Sequence, residues 1–156
     1  MASIRPADIR TKMKIIAAIL TVLLAASNSA HADHELTGRN LSKGKELYNI
    51  HCASCHGTTL KGQPNWQTPN EDGVLPAPPH DRTGHTWHHD NLLLFEYTKL
   101  GGQKALEQRG YPNFKSGMQG FAGTVTDDQI WDVLAYIRST WPEQEQMIQS
   151  AQNPAY

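Results

Sequence analysis

The chain has 156 residues, with 14 Lys and Arg against 15 Asp and Glu and a formal net charge of −1. That length fits one domain, and the balance excludes the basic footprint that nucleic acid demands. Hydrophobic residues make up only 38% of the chain, which leaves little for a self-sufficient core.

In chain order, Arg5, Arg10, Lys12 and Lys14 precede a run over residues 15–26 that is apolar apart from Thr21, and small residues follow up to Ala30-His31-Ala32. A charged start, a short apolar run and an A-x-A site predict a secretory leader over residues 1–32, with Met13 as an alternative start. The apolar run falls short of the roughly 20 residues of a spanning helix. Residues 33–156 then carry 10 Lys and Arg against 14 Asp and Glu, a net charge of −4. An exported, modestly acidic domain without a membrane span is expected. Its richness in Gly, Pro and His suggests that a non-protein group supports its core.

Leu41, Gly44, Tyr48 and Cys52 recur at helical spacing, so the first helix is predicted over about residues 41–55, with Ser42 as its cap. Residues 57–89 read as a long loop full of Pro, Gly, Asn and His, a length that points to function or disorder. A second helix follows over residues 90–100, capped by Asp90, stopped at Gly101 and apolar enough to be well buried. A brief helical turn is expected at residues 103–108 and a loop at 110–123. Thr126 and Gln129 make a capping box for the last helix, along which Ile130, Val133, Leu134, Ile137 and Trp141 recur until Pro142. Residues 33–143 form the domain, and 144–156 read as a polar, loosely held tail. No convincing strand pattern occurs. The fold class is all-α.

Both cysteines lie in "NIHCASCHGTTLKG". A disulfide between Cys52 and Cys55 is awkward on a helix and closes too small a loop to stabilise much. A catalytic dithiol wants a βαβ setting, and zinc wants four ligands. His56 directly after Cys55 separates the remaining option, because Cys-x-x-Cys-His is the attachment pattern of c-type haem. The two thiols tether one covalent haem c, and His56 is its proximal iron ligand.

Beyond residue 32 there are two methionines. Met147 falls in the polar tail, whereas Met118 stands in "KSGMQGFAGTVTDDQI", a Gly-rich loop before the last helix, and is the favoured distal ligand. The alternative is a histidine from "PHDRTGHTWHHDN", where His80, His85, His88 and His89 crowd together. These side chains also suit copper or zinc, or simply a solvated loop.

Together these residues resemble the single-haem class I cytochrome c family from about Gly38 to Pro142, and the resemblance implies the cytochrome c fold, with terminal helices packed around the haem. By that likeness, Gly44 and Tyr48, eight and four residues before Cys52, pack the first helix on the last near Val133 and Tyr136. "LPAPPHD" is similar to the family's proline segment, which implies that the Pro78 carbonyl, or else that of Pro79, accepts from His56. "SGMQGF" is similar to the distal-ligand loop, with Gln119 where proline is common. Trp87 and Tyr111 are candidate donors to the haem propionates.

The expected function is periplasmic electron transfer by a monomeric, non-enzymatic carrier with His/Met ligation and transient redox-protein partners. The alternatives are an electron-entry subunit of a larger periplasmic oxidoreductase, and a ligand- or metal-binding haem protein that uses the His-rich loop.

Overall fold

The computed structural model describes residues 35–154; the expected leader and its cleavage site at Ala32 lie outside them. The elements are α1 (Leu41–His51), α2 (Ala53–His56), a 3-10 turn (Thr86–His88), α3 (Asn91–Leu100), α4 (Gly102–Gln108), α5 (Asp127–Ser139) and α6 (Glu143–Ser150). No strand occurs among the described residues, only an isolated bridge between Ala122 and Val125. The all-α expectation holds.

The first predicted helix differs in two details. Its cap is Asn40, whose side chain accepts from the Lys43 amide at 3.0 Å, while the Ser42 hydroxyl donates to Asn40 Oδ1. It also breaks at Cys52, where φ −116° departs from helical values. The Cys52 amide still bonds back to Tyr48, and His56 restarts the pattern by bonding back to Cys52. The attachment motif therefore sits on a bend between two helical pieces rather than on one straight helix.

α1 and α5 pack against each other through Leu47, Tyr48, Val133 and Ile137, with Trp141 just past the end of α5 in the same core and Tyr136 at the margin. Gly44 is the point of closest approach. A Cβ there would overlap the backbone carbonyl of Asp132 and stand 3.0 Å from the Tyr136 Cβ. Only a bare Cα lets two helix backbones come this near. The expected neighbour Tyr136 is present, and Asp132 joins it.

α5 starts as predicted, with Thr126 accepting from the Gln129 amide and Gln129 accepting from the Thr126 amide at 2.8 Å. α3 starts on Asp90, which accepts from Leu93 at 2.7 Å, and leans on α5 through the stacked rings of Phe95 and Trp131, 4.4 Å apart. The expectation that α3 is well buried is not met: Leu92 is exposed and Leu93 to Leu100 are half-covered. Apolar residues at successive positions run around a helix, so one packing face cannot cover them all.

The tail is the larger correction. Pro142 ends α5 but opens α6, and Gln149 on that helix is fully buried. Its amide nitrogen donates to Asn91 Oδ1 at 2.6 Å and to the His89 carbonyl at 3.3 Å, and its oxygen accepts from Arg138 Nε at 3.1 Å. A polar segment is held here by hydrogen bonds and not by an apolar face, so hydrophobic periodicity could not reveal it.

Replacing Gly44 by alanine should push α1 off α5 and cost about 2 kcal/mol or more, the scale of overpacking in a tight contact. A urea midpoint equal to that of the unmodified protein would exclude this account of the crossing.

Candidate functional site

The bend at Cys52 sets out the motif. Cys52 is half-buried against the α1–α5 core, Cys55 is exposed, and both are free thiols. His56 follows at the end of α2 with 7% of its surface exposed. Below them Tyr48 is fully buried, and its hydroxyl donates to the Gly57 carbonyl at 2.9 Å, closing the turn under His56. Burial, reinforced by Cys52 nearby, pushes the Tyr48 phenol upward, so it stays a neutral donor. Burial, then the neighbouring Cys55, pushes the Cys52 thiol up to about 11.

His56 Nδ1 lies 2.9 Å from the Pro78 carbonyl oxygen. That carbonyl accepts the Nδ1–H, which fixes the tautomer and leaves the Nε2 lone pair available to a metal. Burial lowers the His56 pKa, and the bond to Pro78 partly opposes that shift. Of the two prolines considered, Pro78 makes the contact.

The proline segment is held from both sides. Gly62 has φ +65°, and a Cβ on it would come within 2.6 Å of the Pro79 nitrogen; a Cβ on Gly84 would overlap the Pro79 carbonyl. The His80 amide donates to the Leu60 carbonyl at 2.7 Å, and the indole of Trp141 donates to the His80 carbonyl at the same distance. Gly62, Gly84 and Trp141 are thus positioning residues that sequence reasoning missed. Glycines at irregular intervals in a loop carry no signal for such a clamp.

Met118 is half-buried in a loop stitched to the end of α3. Its carbonyl accepts from the Gly102 amide at 3.0 Å, its amide donates to Ser116 Oγ at 3.3 Å, and Ser116 meets the Tyr97 hydroxyl at 3.0 Å. Phe121 just beyond bonds back to Thr98 and Lys99. Met147 is 64% exposed on α6.

Trp87 packs against the same core as Cys52, and its Nε1 is a buried donor with no hydrogen-bond partner. Tyr111 is also 64% exposed, on the turn after α4. His80 stacks on His56 with ring centres 4.0 Å apart, and its Nδ1 meets Thr86 Oγ1 at 2.8 Å. Burial, reinforced by His56 and His85, holds His80 well below the ordinary imidazole range. His85, His88 and His89 gather around the 3-10 turn, with His85 near enough to act on His80.

These residues fit a haem: free thiols one turn apart, an imidazole oriented by its inner nitrogen, and an orphaned indole N–H on the same core. The class so defined is a protein that carries its haem covalently. A family model for cytochrome c matches residues 41–141, and the chain belongs to the cytochrome c family. It is a haem-binding electron-transfer protein with one covalently attached haem c, and Cys52 and Cys55 fit the attachment motif. No curated protein and no solved structure matches the chain.

In haem-free protein, Cys55 should be alkylated well before Cys52. A thiol raised from 9.0 to about 11 has about a hundredfold less thiolate at neutral pH. Peptide mapping of iodoacetamide adducts reads this directly, and equal rates in native buffer would contradict the burial of Cys52.

Proposed function

We propose that this chain is an exported, periplasmic, single-haem electron carrier with His56 and Met118 as axial ligands and Cys52 and Cys55 as covalent tethers. The observation that carries the reading is the Pro78 carbonyl 2.9 Å from His56 Nδ1, which presents Nε2 as a ligand of fixed orientation. When bound, the haem supplies an iron that cycles between ferrous and ferric, and a thioether ligand raises its potential relative to a second imidazole.

Met118 is supported by its half-buried position and by the hydrogen bonds that sew its loop to α3. A ligand on a stitched loop loses little freedom when it binds. His80 is disfavoured. Imidazoles on opposite sides of one iron sit roughly 6 Å apart, given metal–nitrogen bonds of about 2 Å, whereas His80 lies flat beside His56 with its Nδ1 engaged by Thr86. Trp87 is the donor to a propionate, because its buried N–H otherwise lacks an acceptor. The exposed ring of Tyr111 offers no comparable support.

No helix of the described residues is long and apolar enough to cross a membrane. Its partners are redox proteins, met transiently by a monomer whose net negative charge makes the encounter salt-sensitive.

Acid–acetone extraction should leave haem on the polypeptide. Met118→Ala should keep that haem, lose the near-infrared sulfur-to-iron band and open the iron to carbon monoxide. A six-coordinate, low-spin spectrum retained in that variant would instead assign the distal site to a histidine. Trp87→Phe should leave the visible spectrum intact while lowering the reduction potential, because a propionate without its donor bears less compensated negative charge and favours ferric iron. An unchanged potential would remove Trp87 from the haem environment.

A further inference from the structure

The histidines of the loop divide into two groups. His56 and His80 have their Nδ1 atoms engaged, by the Pro78 carbonyl and the Thr86 hydroxyl. The imidazoles of His85 and His89 make ring contacts and no hydrogen bond among the described residues. The 3-10 turn from Thr86 to His88 brings them side by side, with ring centres 5.2 Å apart and planes at 79°. Behind His85 the indole of Trp66 stacks at 5.3 Å and 11°, which restricts its ring.

That separation also fits shared coordination of one cation. With a metal–nitrogen bond of about 2.0–2.1 Å, two imidazoles on a tetrahedral cation have their ring centres about 5 Å apart. We propose that His85 and His89 form a two-imidazole site for a borderline divalent cation such as zinc or copper, separate from the haem iron.

Both side chains reach solvent, His85 more than His89. Burial first, then His88, lowers the pKa of His85; at His89 burial, His85, His88 and Arg109 lower it and Asp90 opposes, so both rings favour the neutral form that ligates. His88 lies near enough to lower the pKa of both, but its own ring is packed edge-on against Trp87 with centres 3.8 Å apart. No group of three or more His, Cys, Asp or Glu among the described residues is arranged to hold a metal ion. The pair therefore leaves the other coordination positions to water or to a partner, and the bound cation exchanges readily.

Zinc is the probe, because it is redox-silent and accepts imidazole. The haem-loaded chain, free of any affinity tag, is titrated calorimetrically with zinc sulfate. One equivalent should bind, and His85→Gln and His89→Gln should each weaken binding about tenfold or more. His88→Gln should bind as the unmodified protein does. All three variants should keep an unchanged haem absorption spectrum, which also reports that they fold. Absence of binding, unweakened binding in either pair variant, or equal loss in His88→Gln overturns the pair. A changed haem spectrum in His85→Gln or His89→Gln also overturns it, since that residue would belong to the iron. Failure of the Met118 assignment shows separately, as loss of the sulfur-to-iron band from the unmodified protein.

Discussion

The structure hangs on the contact between Gly44 and the backbone of α5. Two helices distant in sequence meet there with no side chain between them. Because the backbones touch, Tyr48 lies fully buried one turn later, beside Tyr136. Tyr48 in turn reaches past the bend at Cys52 to hold the Gly57 carbonyl. The position of His56 thus follows from a residue twelve positions earlier that has no side chain.

The other side of the site is built without regular structure. The Pro78 carbonyl can meet His56 only if its segment is pinned, and the pins are two glycines and an indole. Loop backbone near a core needs its polar groups satisfied. Leu60 does this economically, its carbonyl accepting from both His80 and Asp81. A long loop that looked structureless is ordered by the same bonds that orient the His56 imidazole.

How much of this was readable in the sequence depended on whether the signal was local. The attachment motif, the Thr126–Gln129 box and the Asp90 cap are short patterns with a single physical meaning, and each appears where it was expected; the packing role of Gly44 was implied by the family resemblance. The cap at Asn40 and the break at Cys52 were missed because they turn on backbone angles at one residue. The Gly62–Gly84 clamp was missed because no period links its members. α6 was missed because its burial runs through Gln149, a residue type that is seldom buried. The placement of Met118 was half legible: its loop could be named, but the backbone bonds to α3 that hold it leave no mark in residue type.

Gln149 also has a consequence for the order in which the fold closes. Its three partners, Arg138, Asn91 and the His89 carbonyl, all precede it in the chain, and α5 lies far from α1 in sequence. The contacts with Asn91 and His89 span some sixty residues and form only after most of the polypeptide is present. The Cys-x-x-Cys-His segment therefore precedes in the chain the helix whose buried amide ties α3, α5 and the His89 backbone together.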